Sequence, residues 1–309
     1  MDRRSLLPRL AVALLCAPLV LAMGSTCAQA ADKIKAVASF SILGDMLRQV
    51  GGDRVEVITL VGPNGDAHVY QPTPSDAKHL SEAKVLVING LGFEGWMARL
   101  EQSSGFKGLV VTASKGVKTQ QMTEEEEGKP KKVTDPHAWQ SLANGRIYAE
   151  NIRDGLIKAD PEGKAAYEAN TSKFIAAIDE LEPQVKAAFE KIPTPKRKII
   201  TSHDAFGYFG VAYGIELVAP QGVSTESEAS AKDVAKIIRQ IKAEKIPAVF
   251  LENVTDKRLL EQIRRETGAR IGGELYSDAL SEESGPAPTY LEMVRHNVRT
   301  LTDALSASN

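Results

Sequence analysis

Short runs rich in β-branched and aliphatic residues alternate along this chain with stretches whose apolar residues recur every three or four positions. Strands are expected over residues 35–40, 54–60, 85–88 and 109–111, with a helix over 42–50 after the first and further helical stretches between the others. The second half repeats the scheme, with strands over 198–201, 215–218, 248–251 and 269–272 and helices over 234–245 and 257–267. Alternation of this kind predicts parallel βα units in each half. No short-period repeat is present.

Between the halves, Tyr167, Phe174, Ile178, Leu181, Val185 and Phe189 recur at spacings of three, four or seven. They form one apolar stripe on a long helix. Pro183 falls inside it, where the missing N–H is expected to kink or interrupt the helix. The reading is an α/β protein of two lobes, each a mostly parallel β-sheet flanked by helices, joined by one long helix. The N-terminal lobe is assigned to residues 31–160, the linking helix to 161–193 and the C-terminal lobe to 194–309. Residues 115–134 hold Glu124 to Glu127, Gly128, Pro130 and several lysines with almost nothing apolar, and read as an exposed, mobile loop.

The extreme N-terminus follows another pattern. Arg3, Arg4 and Arg9 precede an apolar stretch over residues 10–23, and Ala28-Gln29-Ala30 reads as a small-x-small cleavage site. Residues 1–30 are therefore expected to be a signal peptide removed near Ala30, which places the mature protein in the periplasm. The apolar stretch is too short to span a bilayer of about 30 Å. Cys27 is preceded by Gly24-Ser25-Thr26, without the leucine three positions back that lipidation favours. Both cysteines, Cys16 and Cys27, fall in the removed segment, so the mature chain has to rely on its core rather than on disulfides.

Composition narrows the function. The chain has 309 residues, a formal charge of −2 and 25% charged residues, which excludes a disordered chain and gives no electrostatic case for nucleic acid. Five histidines are present. His79 and His296 lie on helical patterns and read as surface residues. His68 follows a strand in the turn-rich stretch Gly62-Pro63-Asn64-Gly65-Asp66-Ala67, His137 sits in Asp135-Pro136-His137-Ala138-Trp139, and His203 follows the strand at 198–201. Asp278 stands just past the last strand. Ligands of open α/β sheets bind beyond the carboxyl ends of strands, and all four residues suit that position, two from each half. Three imidazoles and a carboxylate form a sensible set for a first-row divalent metal, zinc first. On spacing alone, any single loop histidine is more often a surface residue than a ligand.

The stretches Gly65-Asp66-Ala67-His68-Val69-Tyr70-Gln71-Pro72-Thr73-Pro74-Ser75-Asp76, Asp135-Pro136-His137-Ala138-Trp139, Ser202-His203-Asp204-Ala205-Phe206-Gly207-Tyr208-Phe209 and Leu275-Tyr276-Ser277-Asp278-Ala279-Leu280 resemble, in order, motifs of the zinc- and manganese-type (cluster A-I) solute-binding proteins of ABC transporters. The resemblance covers essentially the whole mature chain. It implies metal ligation by His68, His137, His203 and Asp278, two α/β lobes joined by a long helix, and high-affinity capture of a divalent metal for a membrane permease. Manganese members typically carry Glu at the third ligand position. His203 stands there in this chain, which points to Zn2+ as the transported ion, with Mn2+ or iron(II) as the alternative. Many zinc members carry a His-rich loop where residues 115–134 lie, and some have a disulfide in the second lobe; this chain has neither. A periplasmic metal donor is a further expected partner, and the protein is expected to be a monomer.

Two other classes compete. A secreted zinc hydrolase would keep one coordination position open, which Asp278 would close, and no His-Glu-x-x-His stretch is present. Asp204 is the one nearby carboxylate and reads as a group orienting a backbone or a ligand ring. A metal-dependent adhesin fits the same residues. No enzymatic activity is expected. If the ligand histidines titrate near the ordinary value of about 6.5, metal affinity falls between about pH 7 and pH 5.

Overall fold

The computed structural model describes residues 33–126, 129–226, 228–246 and 248–306. The expected signal segment lies outside the described residues. Among the described residues, no helix is long and apolar enough to cross a membrane.

The first half runs β1 (Ile34–Phe40), α1 (Ser41–Gly51), β2 (Val55–Val61), α2 (Pro74–Glu82), β3 (Val85–Ile88), α3 (Met97–Ser104) and β4 (Leu109–Thr112). A hairpin, β5 (Gln121–Glu126) and β6 (Lys129–Thr134), leads into α4 (Leu142–Ala159) and then the long α5 (Lys164–Glu190). The second half runs β7 (Lys198–Ile200), α6 (Gly207–Tyr213), β8 (Glu216–Val218), α7 (Ala231–Glu244), β9 (Ala248–Glu252), α8 (Lys257–Thr267), β10 (Arg270–Leu275) and α9 (Tyr290–Ser306). The strands order as β2-β1-β3-β4 and β8-β7-β9-β10, every pairing parallel. With β7 set on β1, the two sheets share one order, so the repeated sequence pattern is a repeated topology.

Alternation explains how the second sheet buries both faces. Ile199, Ala248 and Phe250 join the large core that also holds β1, α1, α5 and α9, while Ile200 and Val249 point the other way into a smaller cluster with α7 and α8. The stripe of α5 is buried along its whole length: Tyr167, Phe174, Ile178, Leu181, Val185 and Phe189 all face the large core. Contrary to the expected interruption, α5 stays helical through Pro183. Its tertiary packing on α1, α4, α6 and α9 outweighs the hydrogen bond lost at one position.

A second expectation is corrected. Residues 115–134 are not simply a loop, because most of them form the antiparallel β5–β6 ribbon. Its register sets Glu124 opposite Lys131, Glu126 opposite Lys129, and the half-buried Met122 opposite the half-buried Val133. At the ribbon's base the Asp135 N–H donates to the Gln120 carbonyl (3.1 Å), and the Gln120 N–H donates to Tyr208 Oη on α6 (3.1 Å).

If α5 is a core element rather than a surface connector, truncating its stripe must be costly. Ile178→Ala, at a position with 0% exposure, is expected to lower unfolding free energy by about 2–5 kcal/mol. Urea unfolding measures this as a fall in midpoint at unchanged slope. A loss below about 1 kcal/mol would place the stripe outside the core.

Candidate metal centre

Each ligand candidate is fixed by groups close to it in sequence or across the sheet ends. After β2 the chain turns through Gly62–Asp66, and Asp66 Oδ1 accepts the His68 N–H (2.9 Å). The neighbouring Ala67 carbonyl accepts from Trp96 Nε1 (2.7 Å). Downstream, Thr73 and Asp76 cap α2 reciprocally, Asp76 Oδ2 accepting the Thr73 N–H (2.6 Å) and the Tyr70 hydroxyl (2.8 Å). The motif around His68 is thus largely a loop-fixing device.

His137 uses the same local turn. Asp135 Oδ1 accepts the His137 N–H (2.9 Å), and here it also meets the ring at Nδ1 (2.8 Å). The Pro136 carbonyl accepts from Asn89 Nδ2 at the end of β3 (2.9 Å). Gly207 lies so close to Asp135 that a Cβ there would stand 2.6 Å from Oδ2, so only glycine leaves this carboxylate its place.

His203 and Asp278 complete the cluster. Glu252, the last residue of β9, accepts the N–H groups of Ser202 (2.7 Å) and His203 (2.9 Å) through Oε1, and its Oε2 lies 2.6 Å from His203 Nδ1. Asp278 is held from the first half: Trp139 Nε1 (3.0 Å) and Gln140 Nε2 (2.7 Å) both donate to the Ser277 carbonyl, and Leu280 N–H donates to Ser41 Oγ (2.9 Å).

The structure brings all four sequence-derived residues together. One donor atom from each of His68, His137, His203 and Asp278 lies within 4.8 Å of the others, and all four residues are buried. Nε2 of His68 and His137 are 3.3 Å apart, and Asp278 Oδ2 is 3.2 Å from His68 Nε2 and 3.1 Å from His203 Nε2. Bonds of about 2.0–2.1 Å to a tetrahedral ion set ligand atoms about 3.3 Å apart, so the spacing suits such an ion. With Nδ1 of His137 and His203 turned to carboxylates, each presents Nε2 inward.

The site carries strong electrostatic tension. Burial opposes ionisation of Asp278, but His137 and His203 hold its carboxyl well below the ordinary range. Burial lowers His137 too, yet Asp278 and Asp135 carry it up to about 9, and Glu252 with Asp278 raises His203 well above the usual imidazole value. His68 goes the other way: burial lowers it, and no carboxylate meets its Nδ1 among the described residues. Asp204, read as orienting a backbone or a ligand ring, is half-buried; its N–H donates to the Gly222 carbonyl (3.1 Å), and burial and Asp135 raise its carboxyl to about 7. Asp135 and Glu252 are the carboxylates that reach ligand rings.

His79 and His296 stay outside the cluster, but both are half-buried rather than fully exposed, and His296 Nε2 donates to the Glu274 carbonyl (3.0 Å). Sequence reasoning missed Glu252, the Trp139–Gln140 clamp and the ring contact of Asp135. The Asp-x-His spacing shared by Asp66-His68 and Asp135-His137 was a readable sign of the last.

Two parallel-sheet lobes meeting at a buried three-histidine, one-aspartate cluster define a metal-capturing solute-binding protein. Residues 36–304 match the family model described as ZnuA, zinc-uptake complex component A, periplasmic, and the chain belongs to that family. It is the substrate-binding protein of a metal ABC transporter, a class that works with a membrane permease and an ATPase. It is 35% identical over 275 residues to the manganese-binding lipoprotein MntA of Halalkalibacterium halodurans, covering 89% of each chain. It is 31% identical to the iron ABC transporter substrate-binding lipoprotein MtsA of Streptococcus pyogenes serotype M1, over 89% of this chain and 90% of that one. Among solved structures, the periplasmic zinc-binding protein TroA of Treponema pallidum superposes with a TM-score of 0.82 at 31% identity, covering 88% of this chain and 99% of that chain.

The raised histidines shift the pH dependence upward from the sequence expectation. With His137 carried up to about 9 and His203 raised as well, protons compete for these rings with any ion the cluster takes. Apparent affinity is therefore expected to climb with pH through neutrality, with protons released on binding at pH 7. Calorimetric titration in buffers of different ionisation enthalpy measures the proton count. A plateau already reached at pH 7 would contradict the raised values.

Proposed function

We propose that this protein captures one divalent transition-metal ion in the periplasm, zinc in the first place, through His68, His137, His203 and Asp278, and hands it to the importer's membrane permease. The observation that carries the reading is the convergence of three imidazole Nε2 atoms on one carboxylate at about tetrahedral spacing. Three nitrogens and one carboxylate suit zinc, whereas manganese prefers more oxygen donors and higher coordination. The fold supports the domain reading as well, with an N-terminal lobe before α5 and a C-terminal lobe after it. An exported chain with a leader removed near Ala30 accords with the periplasmic description of the family.

A second reading has an observation of its own. Two of the relatives carry manganese and iron in their names, so this chain could serve either ion through the same four residues. The donor set weighs against it. Asp278 offers a second oxygen, because its Oδ1 takes no hydrogen bond among the described residues, and bidentate binding would add one oxygen donor only.

Metal analysis of protein purified without added metal distinguishes the readings. Titration of the metal-free chain is expected to give one tight site, with zinc bound more tightly than manganese. Zinc at 100 times its dissociation constant should stabilise the fold by about 2.7 kcal/mol. His137→Ala should abolish that gain in a thermal melt while leaving the metal-free protein folded. Two tight sites of similar affinity, or a zinc-induced gain that survives His137→Ala, would refute the assignment.

A further inference from the structure

The turn after β3 holds a buried carboxylate that stands outside the metal cluster. Gly90, Leu91 and Gly92 are three successive residues at positive φ, +81°, +57° and +84°. Glycine adopts that region freely, whereas a leucine there carries strain that its surroundings have to hold. Glu94 supplies the restraint. It is 9% exposed; its Oε1 accepts the Asn89 N–H (2.6 Å) and the Ser39 hydroxyl (2.7 Å), and its Oε2 accepts the Gly90 N–H (3.1 Å). Burial raises its carboxyl above the ordinary value, and the three donors act against that rise.

Both flanks of this turn reach the first-half histidines. On one side the Asn89 side chain, with 0% exposure, donates from Nδ2 to the Pro136 carbonyl (2.9 Å), one residue before His137, and accepts the Tyr148 hydroxyl at Oδ1. On the other side Phe93, the residue before Glu94, sets its ring 4.6 Å from that of His68 and 6.0 Å from that of His137. No carboxylate meets His68 Nδ1 among the described residues, which leaves ring packing to set its rotation, and of the rings packed on it Phe93 is the nearest. We propose that Glu94 is a positioning residue: by pinning the left-handed turn it seats His68 through Phe93 and His137 through Asn89 and the Pro136 carbonyl, a role that rests on reading both histidines as ligands. One turn thereby governs the spacing of two donor atoms, His68 Nε2 and His137 Nε2, which stand 3.3 Å apart.

The test measures zinc affinity, and urea stability of the metal-free chain, for wild type, Glu94→Gln and Ile178→Ala. In Glu94→Gln one oxygen becomes an amide donor facing a backbone N–H that nothing then accepts, so the turn loosens. Zinc affinity is expected to fall about 10–100-fold, the usual loss when a group that orients a ligand is changed. Ile178→Ala removes core packing on α5 and takes no part in the turn, so it controls for instability alone: it is expected to stay within about twofold of wild type for zinc while losing stability. Gly92→Ala carries the test if Glu94→Gln does not fold. A Cβ on Gly92 meets nothing within 4 Å, so this variant loads only the backbone of the turn. Its zinc affinity is expected to fall at least about threefold. Imidazole nitrogen-15 resonances of the zinc-loaded proteins supply a readout that lost stability does not move: in either turn variant those of His68 and His137 should shift more than those of His203. A Glu94→Gln variant that binds zinc within about twofold of wild type, a Gly92→Ala variant of unchanged affinity, a loss in Ile178→Ala as large as in Glu94→Gln, or shifts confined to His203 would each overturn the proposal. Zinc affinity that survives both His68→Ala and His137→Ala would refute the ligand reading and this role with it, whereas the other outcomes bear on the role of Glu94 alone.

Discussion

A carboxylate with no exposure, Asp278, facing three imidazole nitrogens, is the constraint around which this molecule is built. An ionised carboxylate in an apolar interior is tolerated only when positive charge and hydrogen-bond donors meet it. The fold answers with imidazoles from three separate loops. Without an ion, the histidines supply that charge by holding protons, which is why His137 and His203 are raised while Asp278 is lowered. With a divalent ion the same charge arrives in one particle and the protons leave. On the proposed reading, metal and protons compete for one buried anion, which ties affinity to acid–base chemistry.

Keeping such a cluster assembled is the task of the surrounding polar groups. Asp66 and Asp135 each take the N–H of the histidine two residues on, while Glu252 takes those of Ser202 and His203 from across the sheet. The Ser277 carbonyl receives both Trp139 and Gln140, so the residues that follow one ligand hold the residue that precedes another. Apart from the part-buried Asp66 bond, the fixing hydrogen bonds are buried, where a lost partner costs more than it would at the surface. That cost keeps donor atoms at coordination spacing without the ion itself.

Much of this was legible in the chain. The βα alternation named the strands to within a few residues, because parallel strands buried on both faces read as continuous apolar runs. The stripe of α5 was readable from Tyr167 to Phe189, and the four cluster residues were readable as polar groups at strand ends. The rest was hidden for physical reasons. Glu252 belongs to an ordinary strand end, Leu251-Glu252-Asn253, and nothing local shows that its carboxylate lies under His203, about fifty positions away. The Trp139–Gln140 clamp is likewise a contact between distant segments. The β5–β6 ribbon was obscured because Gln121–Glu126 and Lys129–Thr134 hold few apolar residues, whereas strand signals in sequence are mostly apolar. Of the two outcomes expected at Pro183, interruption does not occur, because tertiary packing on both sides of it carries the helix.

The division of the chain into halves differs from the division of its packing. By sequence Asp278 belongs to the second half, yet Leu275, Tyr276 and Leu280 around it, and α9 after it, share the large core with β1, α1 and α5. Asp45 of α1 accepts the Tyr290 N–H at the start of α9 (2.9 Å), and Tyr290 Oη donates to the Trp139 carbonyl (2.7 Å). Asp278 is therefore mechanically continuous with His68 and His137. His203 stands at the boundary: Ile199, Ala205 and Phe206 near it belong to the large core, while Ile200 joins the smaller cluster under α7 and α8. Three members of the cluster are fixed within one packed body and the fourth at its seam. The N–H groups of Ser202 and His203 that Glu252 accepts tie this fourth member to the end of β9, a strand whose own side chains are divided between the two clusters.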